Sequence, residues 1–466
     1  MGGQVDVRTP FTRINAVIWS YFGRLTPTQF IVLGYLVLCI LSTLFLKLPM
    51  THQEGVHITW MDAVFTATSA VSVTGLNTVN TALTFNETGK IALLVMFQVG
   101  GIGIMTLGAF LWLLFGRNIS LSYRKLIMVD QNQHNLSGLV KLMKLVFYMA
   151  LLIEAAGTLL LMVYFRASGY YDDWLEAFVH GAFHSVSAFT NAGFDIYGDS
   201  LYGFKTDYYV QAVTMLLILF GAIGFPVLIE VREYLFGKQE QFRFSLYTKM
   251  TALMFVFLIV AGTLGIWFFE HNLYFDALPW HEKFFHALFN SVSTRSAGLA
   301  TVDVNFFSVP TLVLMSALMF IGASPSSVGG GVRTTTFGVI LLTLFNYALG
   351  RSEVRAFRRA IKQEDITKSF VVFTAASILV LSAVMMVGYT EDGRLSMLPI
   401  FFEVCSAFGT SGLSTGITPT LSDEGKWVLI VVMFIGRIGM LTLLFMFRPK
   451  RAKQHFHYPK EDIIIG

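Results

Sequence analysis

Four glycines at matching positions are the residues of this chain best suited to a chemical task. Each is the second-to-last residue of a motif that begins with serine. The motifs are SAVSVTGL (69–76), SAFTNAGF (187–194), STRSAGL (293–299) and SAFGTSGL (406–413). Successive glycines are 118, 105 and 114 residues apart, which indicates four copies of one unit. Glycine adopts backbone angles that aim carbonyl oxygens at an axis, and rings of such oxygens replace the hydration shell of a monovalent cation. The motif therefore predicts a cation filter that needs no other bound metal.

The residues of this predicted filter lie at the motif glycine or just before it. They are Val73, Thr74, Gly75, Asn191, Ala192, Gly193, Ser296, Ala297, Gly298, Thr410, Ser411 and Gly412, and they are followed by Leu76, Phe194, Leu299 and Leu413. Any one glycine has an alternative role, since small residues allow helices to pack closely in membranes. Four glycines at one position of four repeats favour the filter.

The composition and the apolar runs predict that these residues are held by membrane helices. The chain has 466 residues, of which 55% are hydrophobic and 13% charged. Soluble domains average about 25% charged residues, so an ordinary soluble protein is excluded. Apolar runs long enough to cross a bilayer occur at 28–48, 90–116, 139–165, 209–236, 247–269, 306–349, 369–389 and 425–447. The shorter segments 60–74, 174–192, 280–297 and 396–411 are typical of re-entrant pore helices.

The predicted fold is an all-α integral membrane protein with eight transmembrane helices and four re-entrant pore helices. Its four M1–pore helix–M2 repeats surround one pore with pseudo-fourfold symmetry. Phe65, Phe183 and Phe402 precede their glycines by ten residues and Phe289 by nine, so the third repeat has lost one residue. The predicted divisions are a cytoplasmic N-terminus (1–27), repeats at 28–120, 121–245, 246–365 and 366–447, and a cytoplasmic tail (448–466).

Basic residues predict the orientation of the repeats. They cluster at both termini and after the second, fourth and sixth spans, as in Arg117, Arg124, Lys125, Arg232, Lys238, Arg351 and Arg358. The opposite loops are acidic or mixed, so the positive-inside rule places both termini in the cytoplasm. Every repeat then has the same orientation, which predicts parallel rather than inverted repeats. An alternative role for the basic residues is binding to anionic lipid.

The third inner span contains a candidate gate. As one helix, residues 306–349 would be about 66 Å long, roughly twice the membrane thickness. The middle of the span cannot be helical throughout, and it predicts a gating loop at 322–333 with Gly322, Ala323, Ser324, Pro325, Ser326, Ser327, Gly329, Gly330 and Gly331. We expect this to be the only broken inner helix, with Gly100, Gly221, Gly322 and Gly436 at one level of the four. A nucleotide-binding loop is the rival interpretation, but the Gly-Lys-Ser/Thr ending is missing.

Two arginines stand out because a charge at membrane depth is expensive. Arg437 lies near the middle of the last span. It is predicted to face the pore, where it repels cations or holds the loop through oxygens at 324–327, with a paired structural arginine as the alternative. Arg295, beside the third filter segment, is predicted to brace the pore loop from behind.

Other polar residues favour structural roles. Glu154, Glu230 and Glu403 have no spacing that pairs them, so hydrogen-bonded structural roles are favoured over proton relay. His180, His184 and His286 lie on pore-helix faces without metal-ligand spacing, and Cys39 and Cys405 show no motif. A membrane enzyme would need a metal cluster or paired carboxylates, and the sequence offers neither.

With GASPSSVGGGVRTTTF at 322–337 and GRIGMLTL at 436–443, these motifs resemble the Trk/Ktr/HKT potassium transporter superfamily over nearly the whole chain. The resemblance is greatest to the KtrB membrane subunits of bacterial Ktr systems. It implies a homodimer with one pore per protomer, and a cytosolic octameric ring of regulatory subunits that bind ATP or ADP. Glycine at all four filter positions implies potassium selectivity, and serine at the first would favour sodium. The tail HYPKEDIIIG resembles tails that hold such dimers.

The expected function is potassium uptake across the bacterial cell membrane through a gated pore driven by the membrane potential. The residues leave channel and symporter, and any role of sodium, open. The alternatives are a sodium/potassium symporter of the same superfamily and a secondary transporter of another solute. The latter predicts inverted repeats and matching broken helices in two halves. No cofactor on this chain and no nucleic-acid partner are expected.

Overall fold

The computed structural model describes residues 26–103, 139–237, 242–447 and Glu461. Its helices, in chain order, are α1 (Pro27–Leu46), α2 (Trp60–Ser72), α3 (Thr81–Thr84), α4 (Glu87–Ile102), α5 (Leu139–Ala167), α6 (Trp174–Phe189), α7 (Tyr208–Ala222), α8 (Phe225–Phe236), α9 (Leu246–Glu270), α10 (Trp280–Ser293), α11 (Val309–Ile321), α12 (Thr334–Ala348), α13 (Gln363–Thr390), α14 (Met397–Gly409), α15 (Asp423–Ile438) and α16 (Met440–Met446). Two short strands, β1 (Arg355–Ala356) and β2 (Arg359–Ala360), form an antiparallel hairpin. Single 3₁₀ turns cover Pro49–Thr51, Tyr202–Phe204, Val304–Phe306 and Thr418–Thr420. The predicted basic residues Arg117, Arg124, Lys125 and Lys238 and nearly all of the tail lie outside the described residues.

The long helices α1, α5, α9 and α13 each begin a repeat and form its outer layer. In the most apolar 18-residue stretch of each helix, only 22–28% of the residues are buried. The exposed residues of these apolar stretches are suited to contact lipid. In the described part of the chain, four helices are long and apolar enough to cross a membrane, and six if each bent pair counts as one span. The chain is therefore a helical, multi-pass membrane protein.

The short helices α2, α6, α10 and α14 coincide with the four segments predicted as pore helices. They lie in the interior, and their equivalent phenylalanines, Phe65, Phe183, Phe289 and Phe402, are at most 1% exposed. A capping box starts α2, since the Thr59 hydroxyl accepts from the Asp62 amide and the Asp62 carboxylate accepts from the Thr59 amide. Residues that align with one another in the four repeats thus occupy equivalent buried positions.

The missing residue of the third repeat is visible at the end of its short helix. In the other repeats a hydrogen bond spans five residues, from the amide of Thr74 to Ser69 O, of Ala192 to Ser187 O and of Ser411 to Ser406 O, each 2.8 Å long. In the third repeat the amide of Ala297 reaches Ser293 O, four residues back, at 3.0 Å. The shortened loop is thus confirmed.

The expectation that only the third inner helix is broken is wrong. Helices α7 and α8 meet at 105°, and α15 and α16 meet at 94°. The bends occur at Gly224 and Gly439, with φ of +99° and +90°, and α4 ends at Gly103 with φ of +95°. Glycine accepts these angles at little cost, so the chain turns there. The third repeat differs in the length of its break, because residues 322–333 separate α11 from α12.

The predicted common level of four inner glycines holds for three of them. Gly100, Gly221 and Gly436 lie so close to the carbonyl oxygens of Val71, Phe189 and Phe408 that a Cβ would clash. Gly322 instead ends α11 with φ of +63° and faces the carbonyl oxygen of Gly330. The insertion therefore changes the role of this glycine from helix packing to loop closure.

Candidate functional site

The four motif glycines meet in one closed ring. A methyl group built on Gly75 would lie 2.9 Å from the Cα of Gly193, and one on Gly193 would lie 3.2 Å from the Cα of Gly298. One on Gly298 would lie 3.0 Å from the Cα of Gly412, and one on Gly412 would lie 3.0 Å from the Cα of Gly75. Each glycine thus contacts the next in chain order, and the fourth contacts the first.

The contacts between the glycines all run in the same direction around the ring. The built methyl group of each glycine faces the carbonyl oxygen of the residue just before the next glycine, and these residues are Ala192, Ala297, Ser411 and Thr74. The φ angles of the four glycines lie between +70° and +93°, a region that side chains rarely adopt. Backbone atoms therefore form this narrow point, and no side chain fits there without a displacement.

A second set of residues with positive φ lies two positions before the glycines. Val73, Asn191, Ser296 and Thr410 have φ of +56°, +56°, +83° and +48°. Such angles are uncommon for residues other than glycine and cost about 1–3 kcal/mol each, so the surrounding structure must hold them. The sequence carries no signal for this strain, because none of the four residues is a glycine. Strain of this kind clusters at ligand clamps and switch regions.

The first serine of each motif ties a filter segment to its short helix in three repeats. Ser69 Oγ accepts from the amide of Gly75 at 3.1 Å, and Ser187 Oγ donates to Phe194 O at 2.6 Å. Ser293 Oγ donates to Leu299 O in the same way. Sequence reasoning gave these serines no role, although their recurrence in the motif was the available signal.

The loop at 322–333 lies against the filter segments of the third and fourth repeats. The amide of Gly330 donates to Thr410 Oγ1 at 2.8 Å. A methyl group on Gly329 would lie 2.6 Å from Ser296 Oγ, and one on Gly330 would lie 2.7 Å from Thr410 Cγ2. Adjacent glycines are thus required for this close approach.

The other side of the loop rests on the second repeat and on α9. The amides of Ser324 and Val328 donate to Ala222 O and Gly221 O at 3.1 and 3.2 Å. The hydroxyl of Tyr247 donates to Pro325 O at 2.7 Å. The loop is therefore held between the bend of α7–α8 and the filter.

Arg437 joins three repeats through backbone oxygens. Its Nη2 donates to Gly101 O at 2.9 Å and also to Gly100 O, and its Nη1 donates to Val328 O. The side chain holds the loop as predicted, but its contact is at Val328 and not at residues 324–327. Arg437 as a whole is 8% exposed, so the residue is buried.

Arg333 was missed by sequence reasoning. Its Nη1 donates to Gly329 O at 2.5 Å and to Ser324 O at 3.4 Å, so it closes the loop on itself. Arg333 and Arg437 both line a cavity of 340 Å³ that also touches Gly103, Ser327 and Thr335. No carboxylate of the described residues lines this cavity. The two guanidinium groups therefore give the described lining of this cavity a positive charge, which opposes cations there.

Arg295 is fully buried behind the third filter segment. Its Nη1 donates to Gly322 O at 3.3 Å and its Nη2 donates to Leu318 O. These oxygens lie at the carboxyl end of α11, where the helix dipole favours a cation. The arginine thus has the bracing position that the sequence predicted, and it also holds the first residue of the loop.

The remaining polar candidates have structural contacts. Glu403 accepts from Ser414, Thr415 and Thr418, which follow the fourth filter segment. Glu230 accepts from the amide of Ser245 at the start of α9, and Glu154 accepts from Gln98. His184 lies 2.7 Å from Thr214 Oγ1, and His180 stacks on Tyr171. Among the described residues no group of three or more metal-ligating side chains is found.

Comparisons with known proteins agree with this geometry. The family model described as TrkH, cation transport protein, matches residues 24–456. The Ktr system potassium uptake protein D of Bacillus subtilis is 51% identical, over 96% of this chain and 99% of that protein. The Ktr system potassium uptake protein B of the same organism is 34% identical, over 95% and 97%. The identity is thus higher with protein D than with the B subunits that the motifs suggested.

A solved structure has the same fold. The potassium transporter TrkH from Vibrio parahaemolyticus superposes with a TM-score of 0.69 at 21% identity, over 90% of this chain and 84% of that one. The family model matches most of the chain, and the relatives match over nearly their full length. The chain belongs to the Trk/Ktr family of cation transport proteins.

Proposed function

We propose that this chain takes up potassium through a selective pore whose filter is the glycine ring. The observation that carries the proposal is the closure of Gly75, Gly193, Gly298 and Gly412 in chain order, with backbone oxygens beside each one. A dehydrated potassium ion needs several uncharged oxygen ligands, and backbone carbonyls supply them. The relatives named as potassium uptake proteins support the choice of ion.

We propose eight transmembrane helices and four pore helices in four parallel repeats. The common direction of contacts around the ring supports a rotation about one axis, since an inverted pair of repeats would reverse that direction. A secondary transporter of another solute would have broken helices at matching positions, and the breaks at Gly224 and Gly439 are compatible with that alternative. Such a transporter would also have inverted repeats, whereas the repeats proposed here are parallel, and this favours the pore.

The loop at 322–333 is the proposed gate. Its contact with Thr410 at the filter and the positive cavity beyond it support this role, because the loop occupies the space directly next to the ring. Arg437 holds the loop in that place through Val328. Withdrawal of the loop would break these bonds and clear the path.

The proposed setting is the bacterial cell membrane, with both termini cytoplasmic and a homodimer bound to an octameric ring of subunits that bind ATP or ADP. The names of the relatives, which place them in a Ktr system, support a system with more than one component. The membrane potential is the proposed driving force. The relative from Enterococcus hirae, a potassium/sodium uptake protein with 34% identity, is the reason to test sodium as well.

Rubidium uptake into liposomes that contain the purified chain, under an imposed voltage, tests the proposal. We expect uptake that potassium competes away more strongly than sodium, and no competition by an organic cation such as choline. Gly75→Ser should lower the potassium preference, while Gly55→Ser is the matched control, because Gly55 has φ of +79° but open space around it. Absence of cation-selective uptake in the parent, or an unchanged ion ratio in Gly75→Ser, would contradict the assignment.

A further inference from the structure

The loop is tied at two points, to Arg295 beside the third filter segment and to Thr410 in the fourth. At its first residue, the carbonyl oxygen of Gly322 accepts from Arg295 at 3.3 Å. Near its far end, the amide of Gly330 donates to Thr410 Oγ1 at 2.8 Å. Arg295 directly precedes Ser296, so the loop is connected to the third and the fourth filter segments at once.

Ser296 and Thr410 are also bonded to each other, and this joins two neighbouring segments of the ring. Ser296 Oγ lies 2.7 Å from Thr410 O and 3.0 Å from Thr410 Oγ1. Both side chains are fully buried, and both residues have positive φ. A hydrogen bond at such a site stabilises a backbone conformation that is otherwise unfavourable.

The first two repeats lack this connection. The equivalent residues are Val73, which has no polar side-chain atom, and Asn191, whose side-chain oxygen and nitrogen find no partner among the described residues. Only half of the ring is therefore bonded to the loop. A movement of the loop would act directly on the third and fourth segments, and on the first and second only through their contacts around the ring.

We propose that Thr410 and Ser296 form a latch that couples the position of the loop to the geometry of the glycine ring. This inference rests on the proposed function. When the loop withdraws, Gly330 releases Thr410 Oγ1, and the strained backbone of Ser296 and Thr410 loses a constraint next to Gly298 and Gly412. Coupling between two sites is reciprocal. The ion that occupies the ring therefore changes the position of the loop, and the loop changes ion preference.

A cysteine in the loop measures this coupling directly. Ser327 is partly exposed and lines the cavity, so we would label Ser327→Cys with a soluble maleimide in the full chain in liposomes, with Cys39 and Cys405 replaced by alanine. We expect different labelling rates in potassium and in sodium. Thr410→Val should make the rates equal in both salts and raise them about fivefold, the change expected for the loss of one net hydrogen bond.

The backbone at position 410 tolerates valine, since Val73 has nearly the same φ in the first repeat. Thr410→Ser keeps the hydroxyl and should keep the ion dependence. Thr343→Val is a control, because it removes a hydroxyl that is bonded within α12 and away from the filter. If Thr410→Val fails to fold, Ser296→Ala removes the other half of the latch and should have the same effect.

The outcomes separate the two proposals. A parent that shows no rubidium uptake contradicts the proposed function. A parent that takes up rubidium but labels equally in both salts overturns the latch alone, as does an ion dependence that persists in Thr410→Val and Ser296→Ala. An ion-dependent rate that both variants abolish, and that Thr410→Ser retains, supports the latch.

Discussion

Gly412 of the last repeat lies directly against Gly75 of the first. A methyl group on Gly412 would lie 3.0 Å from the Cα of Gly75, and it would clash with the carbonyl oxygen of the preceding Thr74. These two residues are 337 positions apart in the chain, and their contact is what closes the ring. All four repeats must therefore be correctly placed before the narrow point exists.

The four ring glycines should not be equally sensitive to substitution. Alanine in the left-handed region costs about 1–2 kcal/mol at any of them. At Gly412 the added methyl also meets Thr74 O more closely than at any other ring glycine, whereas at Gly193 its nearest atom is 3.0 Å away. We expect Gly412→Ala to abolish potassium-selective rubidium uptake and Gly193→Ala to retain part of it. Gly55→Ala is the control, and a reversed order would contradict the ring geometry.

Arg437→Gln should release the loop. The shorter, neutral side chain cannot reach Val328 O, Gly100 O and Gly101 O together, so the closed loop loses its link to two other repeats. Only the bond to Val328 O reaches the loop itself, and one net hydrogen bond is worth about 1 kcal/mol, so rubidium uptake by the chain without regulatory partners should rise about fivefold. Arg394→Gln, at an exposed position, should leave uptake at the parent level. Lower uptake by a folded Arg437→Gln protein would show that the arginine does not hold the gate closed.

Arg295→Met should lower the thermal stability of the detergent-solubilised protein. It removes the donor to Gly322 O in the interior, and an unpaired buried group costs about 1–3 kcal/mol. Arg295→Lys should fall between the parent and Arg295→Met, and Arg394→Met is the exposed control. An unchanged or raised melting temperature would mean that the cost of burying the guanidinium exceeds the value of its hydrogen bonds.

Tyr247→Phe removes the hydrogen bond that Tyr247 donates to Pro325 O. Because this bond holds the side of the loop that faces α9, its loss should raise rubidium uptake about fivefold. Combined with Arg437→Gln, the effects should add on a logarithmic scale, since the two side chains contact different loop residues. Uptake by the double variant that equals uptake by either single variant would mean that one contact alone controls the loop.

Features repeated along the chain could be predicted from the sequence. The glycine spacing, the buried phenylalanines and the four short helices recur in each repeat, so each copy supports the others. The shortened third loop followed from the same comparison, because Phe289 is one residue nearer its glycine than Phe65, Phe183 and Phe402 are to theirs. The bends at Gly224 and Gly439 were missed, since a glycine in an apolar run is compatible with a continuous helix.

Residue types and their spacing are sufficient to predict a helical membrane protein of four repeats, with glycines where backbone oxygens must meet. The three-dimensional structure was needed to show which residues around these glycines are strained and which contacts hold them. Val73 and Thr410 take positive φ as the cap residues that end α2 and α14, and residue type does not reveal this because both are β-branched. The contacts of Arg437 with Gly101 and Val328 likewise join residues more than 100 positions apart. Such contacts depend on how the repeats pack together, whereas the motif depends only on order along the chain.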